Sequence, residues 1–315
     1  MERDNHHVGS WETKKAPTAR PVVEGLFRKQ MPRVTSGISR QKRGNLEDKV
    51  VSSSIKVMSQ SKIRYEWKKI PWRELEVSVF KLQKRIYQAS ERNDIKTMHR
   101  LQRLLLKSES AKLLAVRRVT QDNLGRRTPG IDGVAKLDQE ERARLAESLN
   151  LEDKSKPVRR IWIPKPGKTE KRPLGIPTMT DRARQALVKM ALEPEWEARF
   201  EPNSYGFRPG RSCHDSYGAI FQALKMKTAF VLDADISGCF DNIDHNCLLR
   251  KLNTTPKLRR IVKGWLKAGI MEGDVFQTTG RGTPQGGVIS PLLANVALHG
   301  MEYDTKKTLA DELFE

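Results

Sequence analysis

One stretch, TAFVLDADISGCFDNIDH at residues 228–245, restricts what this chain can fold into more than any other. An apolar run that ends in carboxylates is costly to bury unless a cation or a metal ion compensates the charge. Phe230 to Ile236 is predicted to be a strand, with Asp233 and Asp235 on one face because strand side chains alternate, and with Asp241 and Asp244 after a turn. No Lys or Arg lies between Phe230 and Arg250. An oxygen-only site of this kind suits Mg²⁺, which takes one or two carboxylates and completes its shell with water and substrate phosphates. For Asp241 and Asp244 a helix N-cap cluster is the plainer reading. Asp235 is the stronger metal candidate.

That acidic segment sits in a very basic chain. The 315 residues carry a net charge of +21, with a sequence pI near 10, far beyond what solubility requires, so a polyanionic partner is expected. The excess is localised: residues 1–130 hold 30 Lys and Arg against 13 Asp and Glu, a net of +17, which leaves +4 for residues 131–315. No run of 18 apolar residues or secretory core is present, so neither membrane spanning nor export is expected. Cys213, Cys239 and Cys247 lack C-x-x-C spacing, which argues against a disulfide framework or a thiolate zinc site.

The patterning predicts an α+β domain behind a basic arm. Residues 1–60 are polar and aperiodic, and read as a flexible arm. From Trp72, the spacing of Leu75, Val79, Leu82 and Ile86 predicts an amphipathic helix with a basic back. The Asn93-Asp94 cap signal starts one long or two shorter helices that reach about Val119. GRRTPGIDG, residues 125–133, reads as a loop, and a short acidic helix follows around Glu140 to Leu149. RRIWIPKPGKTEKRPLGIP predicts a basic β-hairpin, and residues 181–199 a helix with Leu187, Met190 and Ala191 inward. Helices at about 245–268 and a strand pair around 273–279 complete the order.

Several blocks together resemble the reverse transcriptases of group II introns. DISGCFDNIDH is similar to that family's first polymerase palm motif and TPQGGVISPLLAN, residues 283–295, to its second. VRRIWIPKPGKTEKRPLGIPTMTDRARQAL and NSYGFRPGRS resemble its fingers, and RRTPGIDG the segment before them. The likeness runs from about residue 70 to 301. It implies right-hand polymerase fingers at 126–227, a partial palm at 228–301, a helical N-terminal region at 61–125 and a divergent tail at 302–315, with no thumb.

The resemblance also implies roles. Asp235 matches the metal-binding aspartate, with the carbonyl of Ile236 as a second contact for Mg²⁺. Phe240 matches the aromatic gate against a ribose 2′-hydroxyl, so deoxynucleoside triphosphates are the expected monomers; an ordinary core phenylalanine is the weaker alternative, given its offset from Asp235. Lys165 and Arg172 match the pair that grips the triphosphate. Gln285 and Gly286 match the loop that seats the nascent base pair. Tyr205, Phe207, Arg208 and Arg211 combine aromatic and basic groups as template grooves do. His214, His245 and His299 lack ligand spacing.

The family's third motif, a tyrosine followed two residues on by paired aspartates, is absent: Tyr303-Asp304 continues with Thr305 and Lys306 in a helical setting. A single carboxylate site cannot hold two Mg²⁺ ions, so the isolated chain is expected to polymerise poorly or not at all. Three accounts stand: one piece of an enzyme whose partner chain supplies the rest, an RNA-binding splicing factor descended from a maturase, or a truncated relic. Template–primer and group II intron RNA are the expected partners. The compartment stays open between bacterial cytoplasm, chloroplast and mitochondrion, all of which host this family.

Overall fold

The computed structural model describes residues 66–314 except 166, 168, 227–230 and 232. The basic arm at 1–60 lies outside the described residues. Two compact units are distinguished. The described part of the smaller, residues 202–226, holds one long helix, Cys213–Leu224, introduced by a capping box between Ser212 and Asp215. The larger contains everything else described below.

Its helical layer begins with α1 (Trp72–Glu91), α2 (Ile95–Lys107) and α3 (Glu109–Arg117). The expected inner face of α1 is observed: Leu75, Val79 and Ile86 are buried, and Leu82 is half-buried against the same core. Asp94 caps α2 by accepting from the Thr97 N–H, and Ser108 breaks the long helical run by capping α3. The run is thus two helices, and a π-helical turn at Arg118–Asp122 extends the second. The acidic helix is α4 (Gln139–Ser148), opened by a capping box between Asp138 and Glu141.

The basic hairpin is β1 (Val158–Pro164) and β2 (Lys171–Ile176), and the helix after it is α5 (Met179–Glu197). Leu187, Met190 and Ala191 are buried as expected, but so is nearly all of α5, because α1, α2 and α3 all pack on it. Pro194 lies inside α5 and has no N–H to give the Met190 carbonyl; Gln83 Nε2 donates to that carbonyl instead, at 3.0 Å. Gln102 Nε2 reaches the next carbonyl, that of Ala191, at 3.3 Å. Side chains of α1 and α2 therefore satisfy polar groups near the proline.

The remaining elements are a one-turn helix α6 (Cys239–Asn242), then α7 (His245–Leu252), α8 (Pro256–Leu266), β3 (Ile270–Glu272), β4 (Val275–Gln277), α9 (Ser290–Leu298) and α10 (Met301–Phe314). The sheet order is β2-β1-β3-β4. β1 is antiparallel to β2, with Ile163 opposite Arg172, and parallel to β3, with Val158 opposite Ile270. β3 and β4 form the expected second hairpin. The fold class is α+β, with a helical layer and a small mixed sheet. No helix among the described residues is long and apolar enough to cross a membrane.

One expectation fails. Residues 231 and 233–236 are assigned to no strand, and Val231 is 70% exposed. An extended segment becomes a strand only when a neighbour takes up its backbone hydrogen bonds, and no described strand runs beside it. Asp233 and Asp235 are exposed, so the burial cost that the pattern suggested does not arise here.

Candidate active site

The acidic segment turns at Gly238. This residue adopts left-handed backbone, and its carbonyl accepts from the N–H of Asp241 and of Asn242. Asn242 Nδ2 also donates to Ser237 O at 3.0 Å, closing the turn. Asp235 and the 45% exposed Ile236 precede this turn, both as exposed residues. Burial, assisted by the negative charge of Asp235, pushes the Cys239 thiol up from its ordinary value.

Asp241 and Asp244 separate in role. Asp244 caps α7 by accepting from the Cys247 N–H at 2.7 Å, and that bond holds its carboxyl below the ordinary range. Asp241 caps nothing. Its Oδ2 accepts from Gln285 Nε2 at 3.3 Å, so the expected cap cluster holds for one carboxylate and fails for the other. The reason is α6 itself: Asp241 falls inside its single turn rather than ahead of it.

The loop after β4 is fixed to this turn and to the first hairpin. Thr283 N–H donates to Phe240 O at 2.7 Å, and Gly282 N–H donates to Ile243 O at 2.8 Å. Gly175 N–H, on β2, donates to Gln285 O at 2.7 Å. From α5, Gln185 Oε1 accepts the Val288 N–H at 2.8 Å. The glycines are required here. A Cβ on Gly282 (φ +81) would stand 2.7 Å from Asp241 O, and one on Gly286 (φ +117) would stand 2.7 Å from Gly175 O. Phe240 is half-buried against the core while its carbonyl anchors the loop, so the core-phenylalanine reading describes its side chain as placed here.

Two buried polar residues of this anchorage escape a reading of the sequence. His245 Nε2 meets Gly282 O at 2.7 Å; a carbonyl only accepts, so Nε2 carries the proton, and Nδ1 has no partner among the described residues. Thr283 Oγ1 donates to Ser290 Oγ at 2.9 Å, stiffening the start of α9. Gln185 sits among Asp181, Arg182 and Arg184 on α5, and nothing in that run singles it out in advance.

Lys165 and Arg172 occupy opposite arms of the first hairpin. The register pairs Ile163 with Arg172, and Lys165 N–H continues the ladder to Glu170 O, so alternation puts both cations on one face. They differ in pairing. Lys165 Nζ contacts Glu170 Oε2 at 2.7 Å, a bond that lowers the Glu170 carboxyl below its ordinary value, whereas Arg172 has no ion pair among the described residues. In the smaller unit, the Arg211 guanidinium lies 5.2 Å from the centre of the Tyr205 ring, and Phe207 is 65% exposed.

Two family models match the chain: the N-terminal domain of reverse transcriptase over residues 67–149, and reverse transcriptase (RNA-dependent DNA polymerase) over residues 163–313. The group II intron-encoded protein LtrA of Lactococcus lactis subsp. cremoris is 45% identical over 149 residues, which is 46% of this chain and 25% of LtrA. Protein YkfC of Escherichia coli (strain K12) is 37% identical over 221 residues, covering 65% of this chain and 57% of YkfC. Maturase-like protein 1 of Euglena gracilis is 30% identical over 244 residues, or 71% of this chain and 49% of that protein. The chain therefore spans between a quarter and somewhat over half the length of these relatives. With both models matched in order along the sequence and intron-encoded relatives over much of it, the chain belongs to the reverse transcriptase family, in its group II intron-encoded branch.

Proposed function

We propose that this chain is an RNA-directed DNA polymerase and intron maturase of the group II intron type, binding template–primer, deoxynucleoside triphosphates and intron RNA. The observation that most supports this is the seating of residues 282–288 between β2 and the turn that follows Asp235. It joins a cationic hairpin, a glycine loop and a carboxylate segment into one frame. Fingers at 126–227 and palm at 228–301 fit the order of these elements. Lys165 and Arg172 would hold the triphosphate, Arg172 directly and Lys165 after exchanging Glu170 for phosphate. Gln285, braced on Asp241 and at Gly175, would contact the nucleotide or template, and Gly286 leaves room for the base pair. Phe240 would exclude a 2′-hydroxyl.

The oxygens of Asp235 and Ile236 fit one Mg²⁺, since both are hard donors on an exposed segment. Bound there, Mg²⁺ would neutralise triphosphate charge and acidify the primer hydroxyl. Among the described residues no group of three His, Cys, Asp or Glu could hold a metal ion, and the sequence contains no Tyr-x-Asp-Asp. The remaining carboxylates would come from a polypeptide segment that this sequence does not contain. The alternative reading is an RNA-binding splicing factor without polymerase activity. Primer extension on poly(rA)/oligo(dT) with Mg²⁺ separates them, comparing the chain with Asp235→Ala, alone and with a polypeptide carrying the Tyr-x-Asp-Asp loop. Extension lost in Asp235→Ala supports the polymerase; no extension by the unmutated chain in either arm rejects it.

A further inference from the structure

At the far end of β1 from Lys165, residues 151–155 and one face of α8 enclose an open cavity of about 560 Å³. Five cations line it, Lys154, Arg184, Lys257, Arg260 and Lys267, against two acids, Glu152 and Asp153. Both acids are already paired: Glu152 takes Lys257 Nζ at 3.0 Å, and Asp153 takes Arg184. Arg184, only 8% exposed in its side chain, is held further by Asp181 at 3.4 Å and by the Asn150 carbonyl at 2.8 Å. Lys154, Arg260 and Lys267 have no ion pair among the described residues and remain exposed.

The arrangement is a track rather than a closed pocket. Lys257, Arg260, Gly264 and Lys267 follow at intervals of three, four and three, so they share one helical face over roughly 15 Å. Gly264 keeps the middle of that face low: a Cβ there would come within 3.3 Å of Ser155 Oγ. Residues 245–271 hold seven Lys and Arg and no Asp or Glu, the reverse of the acidic segment just before them. A helix that uses Leu258, Val262, Trp265 and Leu266 to pack inward has no structural need for so one-sided an outer charge.

We propose that this cavity binds the phosphate backbone of structured RNA, as a second RNA site separate from the hairpin and the glycine loop. It rests on the RNA-binding part of the function proposed above. Lys165 and the cavity lie at opposite ends of β1, whose seven residues span about 20 Å, while the glycine loop meets β2 at Gly175, opposite Arg160; the cavity shares no lining residue with either. Spaced cations on an exposed helix suit a chain of phosphates, with the three unpaired cations along the rim and Arg184, engaged by Asp153, Asp181 and Asn150, bracing the wall.

The test measures affinity of the full chain for a folded RNA stem across a salt series, comparing it with the triple variant Lys154→Gln, Arg260→Gln and Lys267→Gln. The Arg/Lys-exchanged triple Lys154→Arg, Arg260→Lys and Lys267→Arg serves as the charge-preserving control. The proposal expects a loss of about tenfold or more near 0.1 M salt and a salt slope shallower by about 2 to 3, restored by the exchanged triple. An affinity and slope equal to the unmutated chain overturn the site while leaving RNA binding elsewhere intact. No RNA binding by the unmutated chain overturns both. Competition by millimolar inorganic triphosphate equal to that by the stem would show a small-anion site and also overturn the proposal.

Discussion

The helical layer around α5 gives its buried charged groups partners, although Gln102 Oε1 and Trp196 Nε1 have none among the described residues, whereas the segment carrying Asp235 leaves its carboxylates in water. In the first region, Arg182 is 5% exposed and donates to the carbonyls of Pro177, Gly125 and Thr128, tying the GRRTPGIDG loop to the start of α5. Glu195, fully buried, accepts from Gln102 Nε2 at 2.6 Å and lies 3.1 Å from Arg199. In the second, Asp233 and Asp235 have no hydrogen bond or ion pair to the described residues, and only the backbone around Gly238 is organised. The difference teaches that this fold fixes its frame with internal polar networks and leaves its candidate metal ligand free to be satisfied by something added. Removing a group from the frame should cost stability; removing one from the acidic segment should cost activity alone.

Asp235→Ala is the sharpest way to break that comparison. It is expected to abolish primer extension by any assembly containing this chain, while the thermal midpoint moves by less than about 0.5 kcal/mol equivalent, as for other exposed substitutions. The same variant removes the charge that helps raise Cys239, so that thiol should react faster with a thiol reagent at a fixed pH. A large loss of stability would mean that Asp235 belongs to the frame after all. Arg182→Met should do the opposite. Three carbonyls lose their donor, so a destabilisation of about 3 kcal/mol is expected by urea unfolding.

Gly286→Ala lies between the two regions, since it strains the loop that joins them. A side chain at φ +117, 2.7 Å from Gly175 O, should cost about 2 kcal/mol and weaken nucleotide binding together. If only stability fell, Gln285 would not act at the nucleotide. The smallest effect concerns Glu195, whose carboxyl is pushed up from its ordinary value of 4.5 by burial, with Arg199 and Gln102 opposing. Its charged form is the disfavoured one in the fold. Stability is thus greatest below that ordinary value and declines as pH rises through the raised one. Glu195→Gln should flatten that decline, by about 1 kcal/mol or less between pH 4.5 and 7, read from unfolding midpoints at each pH. An unchanged pH profile would show that the Arg199 pair offsets the burial fully.

Much of the frame was legible in advance because its signals are local. Period-3.6 spacing at Leu75, Val79 and Ile86, the cap at Asp94, and turn residues between two extended runs all act within a few residues of themselves. The carboxylate segment misled for the opposite reason. Phe230 to Ile236 has the composition of a strand, but a strand also needs a neighbour, and none of the described strands supplies one. Asp244 and Asp241 looked alike in sequence and were separated only by where the turn of α6 begins.

The sequence by itself determined the family, through several blocks in one order, and with it the identity of Asp235, Lys165, Arg172, Phe240, Gln285 and Gly286 as candidates. It also determined the charge that makes a nucleic acid the expected partner. Only the tertiary structure decided that His245 and Gln185 hold the glycine loop, and that Glu170 occupies Lys165. It alone placed Arg184 beside the basic face of α8. Apart from Lys165 and Glu170, which one hairpin turn brings together, those relations join residues far apart in the chain, and no local pattern encodes a distance that folding sets by packing one element on another.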